Sequence, residues 1–390
     1  MTTTKGQYLI WGLCIILLLN SCGIRNDKQG VGGDHIALNV RKQLDQPAKD
    51  FYLSDLSQSI EYIKLDSNTS FFLSNISNLK IAGDYIFISD GRGLYQYDAD
   101  GGFIREIGLK GRGPGETLGP IRFAIDSSNN EILVYSSSSR VVNIFDMETG
   151  EYISAFQADF FVSGFEVLKD GVIAFFTGEV QDNVNEVIFT DKEGNIFNQI
   201  VNSLRSEMKG NVLGIPSVYQ NEENLYYQYN YRDTLYRINQ QLDRSAFAVF
   251  DFDNRESHNE FLIVPDPDNM VTFYPDYISI PRVLHNNGFL FATLQKGIYP
   301  GVKQDLQRMV YEKATGTLNP TDGFINDLDG GMTFWPRWSS EGLLIDYHHA
   351  YEILEYYHNS RNEEQHSEVF IDLVSNLEEH DNPVLMVVRE

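Results

Sequence analysis

Between residue 55 and about residue 360 the apolar positions fall in short runs with almost no 3.6-residue period. Six runs mark the chain: "YIFI" (85–88), "EILVY" (131–135), "VIAFF" (172–176), "LYYQY" (225–229), "FLFATL" (289–294) and "LLIDY" (343–347). Their starts lie roughly 40–65 residues apart. Several are apolar on consecutive positions instead of alternating ones. A strand of that kind needs cover on both faces.

Polar positions supply the punctuation. Most runs are followed by a second strand pattern and a charged reverse turn: "YQYDADGGFI" (95–104), "NIFDMETGEYI" (143–153), "IFTDKEGNIF" (188–197), "LYRINQQLDRS" (235–245) and "VYEKATGTL" (310–318). An Asp followed shortly by Gly suits a hairpin, because Gly tolerates the positive φ that tight turns demand. A unit of about 45 residues with about four strands is the pattern of a β-propeller. Six runs predict six blades of four antiparallel strands, an all-β fold in which each blade covers the faces of its neighbours. An insertion over 254–276 fills the longest gap between runs.

"GLKGRGPGETLGP" (108–120) has the glycines and cations of a phosphate loop. It lacks the Gly-Lys-Ser/Thr ending, and the next segment, "PIRFAIDSSNNEILVY", reads as strand and turn, so no helix N-terminus receives a phosphate. The loop is expected to carry the chain from the outer strand of one blade to the inner strand of the next. From here to "RVVNIFDMETG" the chain resembles the NHL repeat, in which a Gly-rich linker crosses between blades. A wider resemblance covers nearly the whole chain. "GRGPGE" (111–116), "YRDTLYRI" (231–238), "NDLDGGMTFWP" (326–336) and "DNPVLMVV" (381–388) are similar to segments of the Bacteroidetes six-bladed β-propeller lipoproteins. That resemblance implies an envelope protein, and it suggests association with an outer-membrane nutrient-uptake system.

"SIEYIKLD" (59–66) and "NPVLMVV" (382–388) are expected to pair within one blade and so close the ring without free edges. One helix is expected within 366–381, with Val369, Leu373 and Leu377 on its packed face.

The N-terminus follows different rules. A twelve-residue apolar run (8–19) is too short to span a bilayer and fits the core of a secretory signal. It runs into "LNSC" (19–22), which resembles a bacterial lipobox and implies a signal peptide over 1–21 with lipid attached to Cys22. Cys14 falls in the signal, so the mature body has no thiol for disulfide, metal or nucleophile. The polar, aperiodic residues 22–50 are expected to form a tether, in which 37–44 could add a short strand. The propeller is expected over 51–390.

The formal charge is −25, and about −26 once Lys5 leaves with the signal. Such a surface repels nucleic acid. The eight histidines show no metal-binding spacing, and no nucleophile motif occurs. The candidate ligand-binding residues are therefore loop and linker residues of recognition type: Arg112, Glu116, Arg232, Asp233, Arg282, Trp335, Arg337 and Trp338. Each also has an architectural reading, in ion pairs or blade interfaces. Two classes of function stand open. One is a non-catalytic binding or scaffold module for a protein, peptide or glycan, held to the membrane by its lipid and needing no cofactor. The other is a metal-dependent propeller enzyme (lactonase, lyase or glycan hydrolase) holding a divalent cation such as calcium at the channel mouth with ligands from at least three blades.

Overall fold

The computed structural model describes residues 35–67, 71–178, 184–202, 214–230, 232–252, 274–298, 305–359 and 365–389. The signal, Cys22 and most of the 254–276 insertion lie outside them. Each of the six apolar runs forms the second strand of a four-stranded antiparallel sheet. Five sheets are continuous in sequence: blade 1 (78–107), blade 2 (121–157), blade 3 (164–201), blade 4 (216–251) and blade 5 (274–321). The protein is a six-bladed β-propeller.

Burial falls from axis to rim, which is why the run residues are apolar on consecutive positions. The second strand of blade 2, Glu131–Ser136, is buried at every position after the first, whereas the outer strand Tyr152–Gln157 buries only Phe156. Phe87, Tyr135, Phe175, Tyr227 and Phe291 lie on second strands and are among the largest fully buried side chains.

Blade 6 closes the ring from both ends of the chain. Its strands run, from the axis outward, Trp338–Ser340, Leu343–His348, Val384–Arg389 and Ile60–Lys64. The terminal partners align Val384 with Lys64 and Val388 with Ile60. The second and third strands of this blade are joined through two helices, α1 (Ala350–Asn359) and α2 (Glu368–Ser375), where one was expected. In α1 the aromatic-rich "AYEILEYYHN" buries Ala350 and Ile353, a helical spacing hidden by its tyrosines. In α2, Ser367 caps the N-terminus by accepting from the Phe370 amide at 3.2 Å. Of the expected packed face, Leu377 is buried and Leu373 packs partly buried, but Val369 is 63% exposed and Phe370 and Val374 are buried in its stead. The Phe370 ring, 5.8 Å from Tyr62, sets that face by its size.

The ordered body starts before residue 51. Ile36–Asn39 adds a parallel fifth strand to the rim of blade 4, against Ala248–Asp251. The chain then crosses blade 5, where Lys49 pairs with Glu312 at 2.6 Å and its amide bonds Pro320. Phe51–Tyr52 pairs with Phe324–Ile325, and 60–64 completes blade 6. Residues 35–64 thus form a strap across the rims of three consecutive blades, anchored by the buried Leu38, Val40, Phe51 and Leu53.

The glycine loop runs between the outer strand Phe103–Ile107 and the inner strand Ile121–Asp126, with no helix after Glu116. A Cβ on Gly115 would lie 2.9 Å from the Tyr152 Cβ, and its φ is +75°. The glycine permits close passage over blade 2.

Candidate ligand site at the channel mouth

The inner strands of a propeller run parallel to one another around the axis, so their ends converge. At Ala82, Asp126, Val167, Gln220 and Ser340 they surround a cavity of about 550 Å³. Blades 1, 2, 3, 4 and 6 all contribute to its wall.

Lys80 and Glu166 meet in this cavity. Lys80 lies on the inner strand of blade 1 and Glu166 on that of blade 3, so their ion pair spans two blades that are not neighbours. The Lys80 Nζ lies 2.6 and 2.7 Å from the two Glu166 oxygens. Gln220 of blade 4 donates to the Val167 carbonyl at 2.8 Å and approaches Glu166 at 3.4 Å. Ser340 of blade 6 bonds both backbone groups of Ile81, at 2.7 and 3.0 Å. Polar links therefore fix the relative positions of four blades around the opening. Asp126 is held by Lys192 at 2.6 Å. The remaining charged lining residues are Lys169, Asp170, Glu222, Glu223 and Glu341, so the cavity is acidic. It suits ligands bearing cationic or hydroxyl groups.

Among the described residues no group of three or more His, Cys, Asp or Glu side chains is placed to hold a metal ion.

The sequence candidates do not line this cavity. They divide into three groups. Arg112 and Glu116 lie exposed in the blade 1–2 crossover, where Glu116 Oε2 accepts from the Gly113 amide at 2.6 Å and braces the loop. Arg232 is only 5% exposed and architectural. It and Arg244 lie 3.5 and 2.9 Å from the buried Glu186 of blade 3, and Tyr227 donates to the same carboxylate at 3.0 Å. Asp233 accepts from the Thr234 hydroxyl at 2.7 Å at the start of a strand.

Arg282, Trp335, Arg337 and Trp338 form the third group, and the structure brings all four together around the buried Asp346. Arg337 Nε donates to Asp346 at 2.6 Å, and the Trp335 amide donates to its other oxygen at 2.9 Å. Arg282 sits over the Trp338 ring at 5.7 Å, Arg308 over Trp335 at 5.5 Å and Arg337 over Tyr347 at 4.4 Å. Burial, reinforced by the nearby Arg337, lowers the Arg282 pKa to about 10. Burial also lowers Arg308 and His348.

Sequence reasoning missed Lys80, Glu166 and Gln220. For Lys80 and Glu166 the signal was a long charged side chain among apolar neighbours in an inner strand, "NLKIA" and "GFEV".

Six blades around a walled axial cavity define the class, a six-bladed β-propeller. The chain belongs to the family described as a domain of unknown function, DUF4934, whose model matches residues 35–389. Among solved structures it is similar to a Bacteroides fragilis NCTC 9343 protein described as exported, at 18% identity and a TM-score of 0.68, over 91% of this chain and 99% of that one. A DUF4221 family member from Bacteroides vulgatus matches at 12% identity and a TM-score of 0.46, over 68% of this chain and 84% of that one. No curated protein matches the chain.

Proposed function

We propose that this protein is an envelope-anchored lipoprotein that acts as a non-catalytic binding module, taking a protein, peptide or glycan segment at the channel-mouth cavity. The observation that carries the reading is the cavity of about 550 Å³, walled by polar side chains from five blades. Its acidic balance favours a ligand segment with basic or hydroxyl groups. The lipobox-like "LNSC" and the relative described as exported support a position outside the cytoplasm, on the outer membrane through Cys22. A place in an outer-membrane uptake assembly fits the resemblance seen in the sequence.

The test has two arms. Metabolic labelling with palmitate should mark the wild type and not Cys22→Ala; equal labelling would remove the anchor. Co-purification from detergent-solubilised envelope should recover a partner whose yield falls with Glu222→Lys and Glu341→Lys. A partner retained equally by these variants would place binding elsewhere.

A further inference from the structure

The arginine cluster around Asp346 is chemically unlike the rest of the molecule. The chain carries 55 acidic and 30 basic residues, yet three arginines here share one carboxylate. Asp346 has little capacity left for Arg282 or Arg308. Its oxygens already accept from Arg337 Nε and from the Trp335 and Tyr347 amides, at 2.6, 2.9 and 2.8 Å. Arg308 donates to the Asp322 carbonyl. Arg282 makes no hydrogen bond among the described residues; its one close partner is the Trp338 ring. Each guanidinium has five donors, so most of the donors in the cluster have no protein acceptor among the described residues.

The cluster is also built to hold its shape. Each guanidinium carbon lies over an aromatic ring, which helps to hold the arginine in place. Trp335 is itself fixed by its indole N–H, which donates to Thr293 Oγ1 at 3.0 Å. The arginines come from different segments: Arg282 from the inner strand of blade 5, Arg308 from its third strand, and Arg337 from the lead into blade 6. The Arg337 side chain is 29% exposed and the other two are half-buried, so the cluster is in contact with solvent. Trp338 opens the inner strand whose other end, Ser340, lines the acidic cavity, so the two sites are distinct.

We propose that Arg282, Arg308 and Arg337 form a binding site for a doubly charged tetrahedral oxyanion, of the phosphate or phosphate-monoester class. Three arginines against Asp346 and the exposed Asp322 leave a net positive charge, which favours the roughly −1.5 to −2 of a phosphate group at neutral pH. Donors from three segments suit the oxygens of a tetrahedron better than a planar carboxylate, which takes a single fork.

Isothermal titration of the protein with inorganic phosphate, and separately with sulfate, tests this against acetate at matched ionic strength. Both dianions should bind saturably at one site and acetate should not. Arg282→Gln should weaken binding about tenfold or more, and Arg282→Lys, which keeps charge but loses the fork, should fall between. Arg92→Gln, on an exposed loop of blade 1, should bind as the wild type does. Thermal unfolding without ligand gives an independent reading. Arg282→Gln should be nearly as stable as the wild type, because the half-buried Arg282 side chain makes no hydrogen bond among the described residues and Arg337 stays to neutralise Asp346; a purely structural arginine would give a clear loss. The proposal is overturned by absence of saturable dianion binding, by binding equal in wild type and Arg282→Gln, or by strong destabilisation of the ligand-free variant.

Discussion

Replacing Glu186 with Gln tests how blades 3 and 4 are joined. The Glu186 side chain is 0% exposed, and the Arg232 and Arg244 side chains beside it are 4% and 12% exposed. Gln keeps the shape and can still accept from Tyr227, but the two buried guanidiniums beside it lose this carboxylate's charge. Breaking a buried pair from one side costs about 3–5 kcal/mol, chiefly because the remaining charge is stranded. A body of roughly 350 residues unfolds with an entropy on the order of 0.7 kcal/mol/K, so the expected fall in melting temperature is about 4–7 °C. Urea or thermal unfolding followed by tyrosine fluorescence measures it. Arg244→Met should cost less, because Arg232 stays to neutralise the carboxylate. The Glu186→Gln/Arg244→Met double variant should cost less than the sum of the singles. A loss below about 1 kcal/mol for Glu186→Gln would refute the reasoning, since it would mean that water screens the cluster despite its burial.

Other consequences follow from single contacts. Burial pushes the His285 pKa down to about 3, and its Nδ1 lies 2.6 Å from the Tyr219 hydroxyl, so the ring stays neutral when folded. The unfolded ring titrates near 6.5, so its contribution is complete above that pH and lost as pH falls from about 6.5 toward 3. Comparing stability with pH in His285→Asn should show a shallower acid limb, by up to about 1.4 kcal/mol per pH unit. Gly115→Ala forces a Cβ against Tyr152 at positive φ, and should lower stability by about 1–3 kcal/mol in chemical denaturation while leaving dianion titration unchanged. A chain stopped at residue 383 lacks the strand between Leu343–His348 and Ile60–Lys64; circular dichroism should show no cooperative melt, and a sharp native-like transition would contradict the closure.

The architecture was legible because it repeats. Each second strand is buried on both faces, so "EILVY" and "FLFATL" had to be apolar on consecutive positions, and the glycine loop lacked any helix to serve. The cavity was not legible, because its wall comes from segments a blade apart in sequence that only ring closure brings together. Lys80 and Glu166 are 86 residues apart and face each other only across the axis. Of the candidate residues, Arg282, Trp335, Arg337 and Trp338 assembled, since arginine and tryptophan at blade entries point toward neighbouring blades. Arg232 has the same chemistry but stands next to a buried glutamate, and one sequence does not show which arginine has an acid behind it. The face of α2 was misread because hydrophobicity was counted without volume, and Phe370 outweighs Val369.

The strap over residues 35–64 imposes an order on biosynthesis. Its strands emerge from the ribosome early, yet the segments that receive them, 248–251, 320–325 and 384–388, all emerge in the second half of synthesis, and the partner of 60–64 emerges last. The belt cannot be fully seated until Val384–Val388 is made, and the nascent ring stays unlatched until then. Quality control by proteases therefore has its longest opportunity at these early-made residues, and the same residues, once seated, tie blades 4, 5 and 6 together, the contact of 60–64 being the last to become possible.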